Sequence, residues 1–103
     1  MAATAPIRDE VIDVLRREVP RLRDRGVVHV ALIGSLARGE ARVDSDVDLL
    51  IDIDPDRRFS LIDHSELRLF LCDLLDRDTD VLIRDALDSR SLSRVQEDER
   101  IVF

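Results

Sequence analysis

Lysine, tyrosine and tryptophan are absent from this chain, and cysteine occurs once, at Cys72. A lone cysteine excludes an intrachain disulfide, so stability has to come from burial; on its apolar-looking helix Cys72 reads as a small core residue. Three phenylalanines are the only aromatic residues, which leaves few rings on which a base could stack. No apolar run approaches the roughly 20 residues that a membrane-spanning helix needs. The N-terminal MAATAPIRDE lacks a basic region followed by an apolar stretch, so no secretory signal is read and a cytoplasmic setting is expected. Positive charge is also short: 16 basic against 23 acidic residues give a net charge of −7. That balance argues against direct nucleic-acid binding, which needs a basic footprint. It leaves room for a nucleotide held through a divalent cation. Because all 16 basic residues are arginine, any cationic contact to a phosphate must come from Arg or from backbone N–H groups.

What is present fits one small domain spanning residues 1–103, with 45% hydrophobic residues to build a core. No repeat, linker or low-complexity tract interrupts it. Val11, Val14, Leu15 and Val19 recur at helical spacing from about Ile7, and Pro20 should end or kink that helix. Gly26 suits the turn into a buried strand, Val27 to Ile33, which stops at Gly34. From Asp46 the chain alternates: Asp46, Asp48, Leu50, Asp52 and Asp54 against Val47, Leu49, Ile51 and Ile53. In a strand these sets face opposite sides, so one face is covered and the other, largely carboxylate, is open. Ser60 with Asp63 three residues on predicts a capped helix start. Leu67, Phe70, Leu71 and Leu74 form that helix's stripe. Asp80 to Ile83 is a short third strand; Leu87, Leu92 and Val95 suggest a last helix. Ile101-Val102-Phe103 reads as an edge strand or as a docking tail.

Three features carry chemistry. Gly34-Ser35 ends a strand before a polar turn, where glycine permits close backbone approach and free N–H groups with a hydroxyl can hold a phosphate. Asp46 and Asp48, two apart on one strand face and roughly 6–7 Å apart at Cα, can share divalent cations. Acidic residues form strands poorly and like charges repel, so something should compensate them. Asp80 opens another strand; if that strand lies beside the second, a third carboxylate reaches the same site, where it could complete a two-metal arrangement or act as general base. Arg38 is a further candidate phosphate contact. Asp52, roughly 13 Å along the strand from Asp48, is left out of the site with Asp54. His64 reads as a solvated helix residue, and His29 is assigned no role.

The run from Gly34 to Leu50, GSLARGEARVDSDVDLL, resembles the signature of the DNA polymerase beta-like nucleotidyltransferase superfamily: Gly-Ser, ten residues, then Asp-x-Asp. Ala37-Arg38-Gly39 and Ser45-Asp46-x-Asp48-Leu49 are similar to the small MNT-domain proteins, and Asp80 falls where that group carries its third carboxylate. The resemblance implies an α/β (α+β) fold, a small mixed sheet with helices packed on one face. It implies transfer of a nucleoside monophosphate from ATP to a hydroxyl, with Mg²⁺, two ions, as cofactor. Carried over by position, Gly34 and Ser35 contact the triphosphate, Asp46 and Asp48 bind Mg²⁺, and Asp80 completes the catalytic set. Small MNT proteins resemble antitoxins paired with HEPN-domain ribonuclease toxins, so a partner protein that carries the accepting hydroxyl is expected. Two alternatives stand beside this: adenylylation of a small hydroxyl compound such as an aminoglycoside, and neutralisation of a partner by binding without catalysis. Homo- or hetero-oligomerisation is left open.

Overall fold

The structure, a computed structural model, describes residues 5–40 and 45–103. Its first helix, α1 (Ala5–Arg17), is followed at once by α2 (Val19–Asp24). Pro20 explains the break: it lies in the first turn of α2, where a missing N–H goes unused, but inside a continuous helix it would remove a hydrogen bond. After α2 the chain turns at Gly26, with φ +94°, into β1 (Val27–Ile33). There follow a single helical turn, α3 (Gly34–Ala37), then β2 (Val47–Ile53), α4 (Leu61–Leu75), β3 (Thr79–Ile83), α5 (Ser89–Gln96) and the short β4 (Arg100–Ile101).

The strands form one mixed sheet in the order β3-β2-β1-β4. β1 is antiparallel to both β2 and β4, whereas β2 and β3 run parallel. The expected edge strand near the C-terminus is therefore β4, and the adjoining Val102 is buried against β1.

Alternation along β2 divides its side chains as expected. Val47, Leu49 and Ile51 join Val30 and Leu32 beneath Val11 and Leu15 of α1, Leu22 of α2, and Leu67 and Leu71 of α4. Each fully buried aliphatic side chain here contributes about 1.5–3 kcal/mol. The opposite face is not left bare. Leu50 clusters with Ala31 and Ile33, and Leu82, Leu87, Leu92 and Val95 pack over them. The longer helices thus share one face, while amphipathic α5 roofs the middle of the other. Carboxylates lie on either side of that apolar patch.

Local signals fix the helix ends. Ser60 Oγ accepts from the Asp63 N–H at 3.1 Å, and the Asp63 carboxylate accepts from the Ser60 N–H at 2.9 Å. Those bonds hold the Asp63 carboxyl below its ordinary range. α4 ends at Asp76 in the left-handed conformation, φ 53°. Side chains of α4 also occupy the free edge of β3. Thr79 N–H donates to Cys72 Sγ at 3.3 Å, and His64 Nε2 donates to the Val81 carbonyl at 2.9 Å. His64 is therefore half-buried and bound to the sheet, not the solvated residue its surroundings in the sequence suggest. Among the described residues no helix is long and apolar enough to cross a membrane.

Candidate active site

The topology brings the three motifs to one end of the sheet. β1 runs toward that end and stops at Ile33, which pairs with Asp48. β2 starts there, and its parallel partner places Asp80 directly opposite Asp48. Opposed residues of parallel strands point to the same face, so these carboxylates are neighbours. Asp46 precedes β2 and is exposed, as is Asp80; Asp48 is half-buried. Positions 41–44, the part of the Gly-Ser to Asp-x-Asp motif before Ser45, lie outside the described residues.

Asp48 sits at the centre of the arrangement. Desolvation raises its pKa, and the negative charges of Asp80 and then Asp46 raise it further. Asp48 thus lies within electrostatic reach of both other carboxylates. Among the described residues, however, no three His, Cys, Asp or Glu side chains already converge as a metal-binding group.

Gly34 is matched to Asp48 sterically. Its φ is +72°, and a Cβ at this position would stand 2.6 Å from Asp48 Oδ2. Only glycine gives both the backbone conformation and the space. The α3 turn then closes through Arg38 N–H to the Gly34 carbonyl at 3.2 Å and Glu40 N–H to the Ser35 carbonyl at 2.9 Å. Leu36 and Ala37 anchor this turn in the core, leaving Ser35 half-buried beside the site. Below it Arg8 Nη1 donates to the Ala37 carbonyl at 3.2 Å.

Arg38 belongs to the same turn but is directed elsewhere. Its guanidinium pairs with Glu40 at 2.9 Å and Asp98 at 3.4 Å, with 41% of the side chain exposed. Exposed pairs of this kind are weak and screened by solvent, so a phosphate could draw the guanidinium away.

The carboxylates of β2 fall into two groups. Asp52 is neutralised by Arg84 at 2.8 Å, and Arg84 also reaches Glu99 at 3.1 Å. Asp54 Oδ1 accepts from the Asp56 N–H at 2.9 Å, in the turn after the strand. Asp52 and Asp54 are thus engaged by other groups, away from Asp48 and Asp80. Arg84 and Arg77 were not foreseen; both become visible only through the strand register. An open apolar groove of about 640 Å³ lies at the other end of β2 and β3, lined by Ile53, Phe59, Leu61, Ile83 and Leu87 among others, and contains none of the three site aspartates.

A small mixed α+β sheet that gathers a glycine-initiated turn and three aspartates at one end has the architecture of a nucleotidyltransferase. Residues 9–103 match the nucleotidyltransferase domain family, and the chain belongs to it. It is 37% identical over 82 residues to the protein adenylyltransferase MntA of Thermococcus cleftensis, covering 79% of this chain and 81% of that one. A solved structure assigned as a minimal nucleotidyltransferase is 33% identical, with a TM-score of 0.70, and the match covers 96% of this chain and 95% of that one. The fold also matches, at 18% identity and a TM-score of 0.62, a chain from the complex of a tri-AMPylated Shewanella oneidensis HEPN toxin with an MNT antitoxin; 97% of this chain and 71% of that one are covered. Nucleotidyl transfer is accordingly the chemistry of this domain.

Proposed function

We propose that this protein transfers AMP from ATP to a hydroxyl of a partner protein, and that the partner is a HEPN-type ribonuclease toxin that the modification silences. The single observation that carries the proposal is the registration of Asp48 with Asp80 beside Gly34, with Asp46 close enough to be felt by Asp48. The partner is supported by likeness to an adenylyltransferase that acts on protein and to the fold in a toxin–antitoxin complex.

The site residues suit Mg²⁺. Asp46, Asp48 and Asp80 supply hard oxygen donors. Asp48 carries a charge disfavoured by burial and by its two neighbours, in contrast to Asp52, which Arg84 already neutralises. A cation would relieve the first and has no place at the second. In this reading Asp46, Asp48 and Asp80 hold two Mg²⁺, which when bound neutralise phosphate charge and polarise the reacting oxygens. Gly34 lets the triphosphate approach the backbone, Ser35 binds it through hydroxyl and N–H, and Arg38 leaves Glu40 and Asp98 to meet it. The acceptor hydroxyl oxygen attacks the α-phosphorus, the bond from that phosphorus to the bridging oxygen breaks, and pyrophosphate leaves. The hydroxyl proton passes to the Asp80 carboxylate.

The experiment is incubation with α-labelled ATP and Mg²⁺, first with a HEPN-type toxin protein and separately with aminoglycosides. Label on the partner alone is the expected result. Label on the small compound without any partner would overturn the protein-acceptor reading. Absence of label on either, with full neutralisation of the toxin, would identify a binding-only antitoxin.

A further inference from the structure

We infer that Arg77 is a positioning residue for Asp46, fixing where the chain enters β2. Asp46 lies just outside β2, and both residues flanking it are anchored to the same short connection between α4 and β3. Arg77 Nη1 donates to the Ser45 carbonyl at 3.2 Å, and the Val47 N–H donates to the Asp78 carbonyl at 2.9 Å. The connection is itself rigidly held. The Arg77 N–H donates to the Cys72 carbonyl at 3.3 Å, closing the end of α4. The Arg77 carbonyl accepts from Thr79 Oγ1 at 3.1 Å, and Thr79 is fully buried. The Arg77 backbone is thus clamped on both sides while its side chain spans to the Ser45 peptide. Fixing the carbonyl before Asp46 and the amide after it restricts the backbone rotations of Asp46, and with them the direction in which its side chain leaves the strand entry. A guanidinium suits this task because it stays charged and presents its donors in a planar fork. Groups that orient a ligand from behind typically account for about 10- to 100-fold of metal affinity or activity.

This inference rests on reading Asp46 as a metal ligand, and the test separates the two. Mn²⁺ binding is followed by electron paramagnetic resonance in the presence of a non-hydrolysable ATP analogue, and amide exchange is followed by deuterium uptake. Arg77→Gln should weaken Mn²⁺ binding by about 10- to 100-fold and speed exchange at Val47, with Leu67 and Leu71 of α4 as protected as in the parent. Arg77→Lys should recover part of both. Combined with Asp46→Asn, Arg77→Gln should add little to the loss of Mn²⁺ affinity, because both act on one ligand. Unchanged Val47 exchange would overturn the positioning role, as would exchange that quickens equally throughout α4, the mark of general destabilisation. If the parent chain bound no Mn²⁺, the metal reading of Asp46 would fail, and Val47 exchange would still decide whether Arg77 holds this entry. If Arg77→Gln does not fold, Arg77→Lys carries the same comparison.

Discussion

Gly34→Ala tests the contact on which the site geometry turns. Alanine at φ +72° adopts the left-handed region at a cost of about 1–2 kcal/mol. For a domain of this size that corresponds to a fall in Tm of roughly 4–8 °C per kcal/mol. The second effect is local. The new methyl would stand 2.6 Å from Asp48 Oδ2, where ordinary contact begins at 3.4 Å, so the carboxylate has to retreat by about 0.8 Å. Displacements near 1 Å at a reacting centre can cost about 100-fold in rate. Gly26→Ala is the matched control: its φ is +94° and the added methyl meets the Arg57 side chain at 3.0 Å, at the opposite end of β1. Both variants should lose similar stability in thermal melts, but only Gly34→Ala should lose about two orders of magnitude in AMP transfer under Mg²⁺ and ATP. Equal activity in the two variants, or undiminished stability in Gly34→Ala, would refute the reasoning.

Asp48→Asn should stabilise the domain at neutral pH while abolishing transfer. The folded pKa of Asp48 is raised, so its unfavourable term is absent below the unfolded pKa and grows as pH rises through the folded one. The gain in Tm should therefore shrink on acidification, and a constant difference across that range would contradict it. Ser60→Ala should cost about 1 kcal/mol through loss of the α4 cap and leave transfer intact, as denaturant unfolding beside an activity assay would show. Arg84→Ala strips two partners from a half-buried position and should cost about 2 kcal/mol, between the values for exposed and fully buried pairs. The same melts check it, and an unchanged Tm would contradict the reading of Arg84 as the residue that ties Asp52 to Glu99.

Much of this molecule was legible in local pattern. The alternation from Asp46 to Asp54 identified β2 and its two faces, Pro20 marked the helix break, and Ser60 with Asp63 marked the start of α4. What local pattern could not carry was register. In the parallel pair a constant offset of 32 residues relates Ser45 to Arg77 and Asp52 to Arg84, and the same offset sets Asp48 opposite Asp80. Nothing in the sequence near any one of these residues states that offset, so the two arginines, one at each end of the β2–β3 pair, went unnoticed while Asp46 and Asp52 did not. His64 was misread for a related reason: its partner is a backbone carbonyl of β3, invisible to side-chain periodicity. The roof that α5 makes over Leu50 was half legible, as Leu92 and Val95 predicted an apolar stripe but not the face it covers.

The most direct measurement is the intact mass of a HEPN-type toxin partner after incubation with ATP and Mg²⁺, using the parent chain and the Asp46→Asn/Asp48→Asn variant side by side. The parent should add adenylyl groups to the partner, and the variant, folded as judged by its melt, should add none. Modification by the variant at the parent's rate, or an unmodified partner with both, would contradict the assignment of these aspartates as the centre of an AMP-transferring site.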